Sequence, residues 1–400
     1  MSNRISTRMM FDQSLSTMLA RQKQLAALQQ QVATGKKVVT AKDDPVGAGA
    51  AVGLDRSLAE LERFGQNANT VGNRLGMQEN ILALAGEDLM RINELAVQAN
   101  SDTLSADDRR SIAAELRTLR DNLVSLANST DGSGRYLFAG AADDTPPFSR
   151  VGDGVAYHGD QTQRGVEIAP GALVRDALPG SEVFMRIRGG DGTVDARMAA
   201  GNSGSAVLNG FGRASSGDWN GQAYRIGFTA DNGYEVTGQD GAIVASGTWT
   251  AGSDIQVGGL RVSIDGTPAE GDSLHIGPAG TRDVFATVQQ LVDALESPGA
   301  TAAERATRRN ALQAGMRDVA RASERMIDAR AAGGAQLALL DDATSLREAN
   351  EVTLKTTLSG MRDLDYAEAI TRFQLESTAL QTAQTVFTRM QGLSLFNMLR

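Results

Sequence analysis

Phe11, Met18, Leu25 and Val32 repeat at seven-residue intervals toward one end of the chain, and Tyr366, Phe373, Leu380 and Phe387 toward the other. An apolar row of this period is the seam of a helix packed lengthwise against another helix. Two such rows flanking a glycine-rich segment predict a chain that folds back on itself so that its ends meet. Helical patterning continues inside the rows. Asp44 is a good N-cap with Pro45 as first helical residue. Leu54, Leu58, Leu61, Val71, Leu75, Leu82, Leu89, Ile92 and Leu95 follow at helical spacing. Unbroken to about Asn100, that helix would run roughly 80 Å at ~1.5 Å per residue, which predicts an elongated molecule. Gly65, Gly72, Gly76 and Gly86 leave room for a bend, at about 1 kcal/mol each.

Ser105 and Asp108 form a capping-box pattern ahead of Ile112, Leu116, Leu119, Leu123 and Leu126, and Thr301 and Glu304 repeat it. Asp283 can cap a short helix that Ser297-Pro298-Gly299 stops. The long helix after Thr301 is expected to be interrupted at Gly333-Gly334. Between these helices the pattern changes. Of the 44 glycines, 27 lie in residues 146–280. Tyr224, Ile226 and Phe228 alternate with Arg225, Gly227 and Thr229, Asp231-Asn232-Gly233 supplies a turn, and residues 234–237 return. The expected fold is α+β and multidomain, an elongated helical bundle or coiled coil built from both terminal segments with an inserted antiparallel β domain. The expected divisions are a terminal assembly domain (1–42 and 365–400), a discontinuous helical bundle (43–145 and 281–364) and the β insert (146–280).

Composition narrows the function. A formal charge of −9 with no basic patch argues against nucleic acid as a partner. No run approaches the ~18 apolar residues of a membrane span, so no membrane partner is expected. Residues 1–20 lack the apolar core of a signal peptide, so export would use a route without a cleaved leader. Cysteine is absent and His158 and His275 are the sole imidazoles, which leaves too little for disulfides, thiolate chemistry or most zinc sites. No phosphate-loop, nucleophile-elbow or zincin motif occurs. Asp143-Asp144 reads as a solvated linker, His275 as a surface or edge residue, and Trp219 and Trp249 as β-domain packing. No catalytic, cofactor or metal site is expected.

The terminal rows are the candidate functional surface. Ser377 to Thr388 holds no charged residue, whereas a solvent-facing helix carries Lys and Glu on its outer face. Leu393, Leu395, Phe396, Met398 and Leu399 crowd the last eight positions. The expected subunit interface comprises Ile5, Phe11, Met18, Leu25, Val32, Tyr366, Phe373, Leu380, Phe387, Met390, Leu393, Leu395, Phe396 and Leu399.

Several stretches resemble the flagellin family. They are residues 1–7 (MSNRIST), Thr34-Gly35-Lys36-Lys37-Val38, Asp43-Asp44-Pro45 and residues 95–100 (LAVQAN). Residues 134–140 (GRYLFAG), 363–370 (DLDYAEAI) and 391–396 (QGLSLF) resemble its hook-associated members. Val38-Val39-Thr40 and Ala141-Ala142 depart from the family pattern. The resemblance implies a non-enzymatic adaptor whose subunits form a ring between another hook-associated protein and flagellin. It also implies unfolded export through the flagellar channel after a cytosolic export chaperone has held the C-terminal helix. It places the termini in an inner layer, the bundle in a middle layer and the β domain outermost. A flagellin-type filament subunit is the nearest alternative, and a secreted glycan-binding or hydrolytic protein the alternative of another class.

Overall fold

The computed structural model describes residues 7–101, 103–214 and 218–398. Its helices are α1 (Thr7–Thr34), α2 (Pro45–Ala99), α3 (Ala106–Ala127), α4 (Val284–Glu296), α5 (Ala302–Arg362) and α6 (Tyr366–Met398). The sequence signals act where they stand. Asp44 accepts the Gly47 N–H at 2.9 Å, and Asp283 accepts that of Ala286 at 2.6 Å. Both capping boxes close, Ser105 with Asp108 and Thr301 with Glu304. The interruption expected at Gly333-Gly334 does not occur, since α5 runs through both. A penalty of about 1 kcal/mol per glycine is small beside the alanines at 331, 332 and 335 that keep the turn helical.

The chain divides into two compact units, 1–66 with 343–400 and 67–342. In the second unit, α2 (from residue 67), α3, α4 and α5 (to residue 342) surround an apolar core. Gly315 lets α5 approach α4, since a Cβ there would fall 2.4 Å from a Leu291 methyl. The strands are β1 (Phe148–Val151), β2 (Gly154–Tyr157), β3 (Gly165–Ala169), β4 (Ala172–Arg175), β5 (Ile187–Arg188), β6 (Val194–Met198), β7 (Val207–Arg213), β8 (Tyr224–Phe228), β9 (Gly233–Thr237), β10 (Ile243–Thr248), β11 (Asp254–Val257), β12 (Leu260–Asp265), β13 (Ser273–Pro278) and β14 (Thr281–Arg282). All pairings are antiparallel. A five-stranded sheet (β10-β9-β8-β13-β6) and a three-stranded sheet (β11-β12-β7) share one core that includes Ile226, Trp249, Val262 and Ile276. Asp231 and Asn232 both take positive φ in the β8–β9 turn, the conformation that short Asp and Asn side chains tolerate. His275 is on the surface but in a central strand, paired to β6 and β8.

The segment expected as one insert feeds two cores. Phe148, Val183, Phe184 and Ile187 belong to the helical core. There Phe184 packs edge-on to Phe138 (5.2 Å) and Phe148 (5.6 Å) and stacks with Phe285 (6.0 Å). The separate β core starts at Val194 and ends at Ile276. The module enters and leaves through adjacent backbone, with the Gly189 N–H on the Gly280 carbonyl (3.0 Å) and the Ala279 N–H on the Thr193 carbonyl (2.8 Å).

Asp143, expected in a solvated linker, is buried. It belongs to a charge hub centred on Arg74 of α2, itself 5% exposed. Arg74 lies 2.8 Å from Asp131, 3.7 Å from Asp143 and 3.6 Å from Asp176, and Arg164 binds Asp176 at 2.5 Å. The arginines make burial of Asp143 and Asp176 affordable, with Asp131 half-buried beside them, and the loop before Pro146 folds inward to meet them. Burial alone would raise the Asp131 carboxyl. The Arg135 and Ser133 N–H groups, with Arg74, outweigh it and hold the group below its ordinary value. A depressed folded-state pKa contributes stability above the unfolded value, and that contribution is lost as pH falls through the folded value. Arg74→Met is expected to destabilise the chain by about 3–5 kcal/mol at neutral pH, the usual range for breaking a buried pair. Urea unfolding checks it, and a loss under ~1 kcal/mol, as for a surface pair, would contradict a buried hub.

Candidate assembly surface

The first unit holds both apolar rows. They lie on α1 and α6, which pack along one another. Gly35 follows α1 with φ +67, and a side chain there would meet the Tyr366 hydroxyl at 2.8 Å. The backbones of Lys36 and Asp363 form an isolated antiparallel β-bridge, the Lys37 N–H donates to the Arg362 carbonyl (2.8 Å), and the Leu364 N–H donates to that of Gly35 (2.9 Å). The Thr40 N–H and hydroxyl both donate to Asp43, and those bonds hold its carboxyl below its ordinary value. Arg362 also reaches Asp55 of α2 at 3.0 Å.

Along the pair, Arg21 meets Glu376 at 3.0 Å. Together with the Gly35–Tyr366 approach, this makes α1 and α6 antiparallel. Counting from Arg21–Glu376, Leu25 comes within one residue of level with Phe373, and Met18 within one residue of Leu380. The two rows read separately from the sequence are one seam. Arg21 and Glu376 sit in that seam yet stay partly exposed, so the bridge contributes about 0–1 kcal/mol and acts mainly on register.

Met18, Leu25, Val32, Phe373, Leu380 and Phe387 are half-buried, and Tyr366 is exposed. Each helix therefore covers one flank of the other's row and leaves the second flank open. Leu19, Leu375 and Val386 add exposed apolar positions beside the seam. Ile5 and Leu399 lie outside the described residues, as do the side chains of Phe11, Met390, Leu393, Leu395 and Phe396.

One feature of α6 escapes a reading by residue type. Thr378, Thr382, Thr385 and Thr388 turn their hydroxyls back onto the carbonyls of Gln374, Thr378, Gln381 and Gln384, at 2.9–3.0 Å. A threonine bonded this way directs its donor along the helix. The hydroxyl donors of this uncharged, exposed stretch are thus already satisfied within the helix. The signal was four threonines in a helical run without charge. Such a surface suits contact with further protein, because no buried charge must be desolvated. Among the described residues no acid and histidine cluster could hold a metal, and no helix is long and apolar enough to cross a membrane.

The N-terminal helical region of bacterial flagellin matches residues 5–143, and its C-terminal helical region matches residues 316–399. The chain is 27% identical over 397 residues to flagellar hook-associated protein 3 of Salmonella typhimurium, an alignment covering 99% of this chain and 100% of that protein. The crystal structure of Xanthomonas campestris FlgL is 57% identical, with a TM-score of 0.73 over 76% of this chain and 99% of that one. The flagellar hook-associated protein-3 structure from Legionella pneumophila is 26% identical, with a TM-score of 0.72 over 77% and 98% of the two chains.

Proposed function

The chain belongs to the flagellar hook-associated protein 3 (FlgL) family, and from that membership we propose that it is the adaptor subunit joining the flagellar hook to the flagellin filament. The observation that carries this reading is the end-to-end match to a hook-associated protein, in which both terminal helices are included. The half-covered α1–α6 seam supplies a surface with a use only in an assembly. On this reading residues 1–42 and 365–400 form the assembly domain, and copies of the chain form a ring. Another hook-associated protein contacts the ring on the hook side and flagellin on the filament side. The protein is a non-enzymatic component of the bacterial flagellum, exported without a cleaved leader. Before export a cytosolic chaperone covers the apolar side of α6.

Gold-labelled antibody against the full chain tests the position. Label in one band at the distal end of the hook is the expected result. Label along the filament would make the chain a filament subunit instead.

A further inference from the structure

A groove of about 520 Å³ lies on the outward face of the five-stranded sheet. In β8 and β13 the side chains of Ile226 and Ile276 are buried in the β core, and those of Arg225 and His275 alternate to the outside. Register sets four outward residues in one row. Arg197 of β6 stands opposite His275, His275 opposite Arg225, and Arg225 opposite Thr237 of β9. Neighbouring strands lie about 4.8 Å apart, so the imidazole sits between two arginines at the groove. Beside that row Gly277 stands opposite Asp195. A Cβ on Gly277 would fall 2.6 Å from that of Ala223, so the position stays without a side chain and backbone floors the groove. Gln239 from the β9–β10 turn and Arg282 also line it.

The arginines differ in what they already hold. Arg197 binds Asp195 at 2.8 Å and Asp318 at 2.6 Å, and Arg282 lies within 3.6 Å of the same two carboxylates. Those two positive charges are matched. Arg225 is exposed, and among the described residues its guanidinium makes one hydrogen bond, from Nη2 to Ser273 Oγ at 3.3 Å, and no ion pair. Its Nη1 donors stay open. His275 is exposed beside it.

An unmatched guanidinium in a groove suits an anion, and its surroundings select which kind. Residues 194–278 hold nine carboxylates against four arginines, so an extended polyanion is repelled. Asp195 on the wall, and Glu235 one row along the sheet face opposite Gly227, disfavour a second negative charge. One negative charge fits, and a guanidinium matches the oxygens of a carboxylate. The rest of the lining suits hydroxyl groups. His275 and Gln239 offer donors and acceptors, and Thr237, whose hydroxyl already donates to the Arg225 carbonyl (3.3 Å), can still accept. The volume is ordinary for a small-molecule site, ~300–1,000 Å³. We propose that this groove binds a small hydroxylated monocarboxylate of the sugar-acid class, with Arg225 holding the carboxylate and His275 a neighbouring hydroxyl.

Isothermal titration of the full chain with glucuronate tests the proposal. Glucose, acetate and inorganic sulfate are the controls for hydroxyls alone, a carboxylate alone and a dianion. Saturable binding of one glucuronate, with no control matching it, is expected. Arg225→Gln should weaken glucuronate by about tenfold or more, the scale of a lost charged hydrogen bond. His275→Ala keeps the arginine and should also weaken it. Both side chains are exposed, so both variants should melt as the parent does. Arg261→Gln, on β12 outside the groove, should bind as the parent does. The proposal is overturned by absence of saturable heat at millimolar glucuronate, by equal affinity for any control, or by binding that survives both groove variants. It is independent of the adaptor reading, which the antibody experiment decides separately.

Discussion

Leu380→Asp is expected to give cells with normal hooks, few attached filaments and unpolymerised flagellin in the medium. Leu380 sits midway between Phe373 and Phe387 on α6, which packs along α1, and is half-buried. An aspartate there enters a stretch from Ser377 to Thr388 that holds no charge to pair with it. Burying one unpaired charge costs several kcal/mol, and the penalty recurs in every copy of an assembly. Leu380→Ala removes contact without adding charge. Since part of the side chain is already solvated, its loss should fall toward the lower end of the ~2–5 kcal/mol of buried leucine truncations. Measuring the variant in the culture medium separates failed export from failed assembly. A Leu380→Asp strain that exports the protein at the parental level and swims normally would mean that the row faces water in the flagellum.

The features that the sequence displayed most plainly are those set by neighbours along the chain. Caps at Asp44, Ser105, Asp283 and Thr301 are local hydrogen bonds, and the alternation at residues 224–228 is a local period, so both can be read without knowing the fold. The seam was legible for the same reason, although its antiparallel register awaited Arg21–Glu376. Long-range pairing was hidden. Arg74 falls in an amphipathic helix where a charge ordinarily marks the wet face, and its aspartates lie 57, 69 and 102 positions away. Asp143 looked solvated because Thr145-Pro146-Pro147 follows it, yet three arginines face it within 3.7 Å. Phe148 and Phe184 carry no period at all. Their membership in the helical core rests on contacts with Phe138 and Phe285 that no spacing encodes. The back-bonded threonines of α6 are intermediate, since the composition was visible and the direction of the hydroxyls was not.

That hidden membership decides how the β module can be removed. Excising residues 194–278 and joining 193 to 279 through a short glycine linker should leave a folded protein that still attaches filaments. The Ala279 N–H already reaches the Thr193 carbonyl at 2.8 Å, so closure requires little movement. The aromatic group of Phe138, Phe148, Phe184 and Phe285 stays whole, and Asp318 keeps Arg282 at 3.5 Å after losing Arg197. A wider excision, 150–275, ends in equally glycine-rich sequence but takes Val183, Phe184 and Ile187 out of the helical core. It also removes Arg164 and Asp176 from the charge hub. Truncating one buried phenylalanine costs about 3–5 kcal/mol, and three core side chains together approach the whole ~5–15 kcal/mol by which a protein of this kind is folded. The wider variant should therefore lose its cooperative thermal transition while the narrower retains one. If both melt alike, the core boundary at residue 194 is misplaced. If the narrower variant melts cooperatively and is exported, yet filaments still detach, the β module is itself part of the joint and the terminal seam does not carry attachment alone.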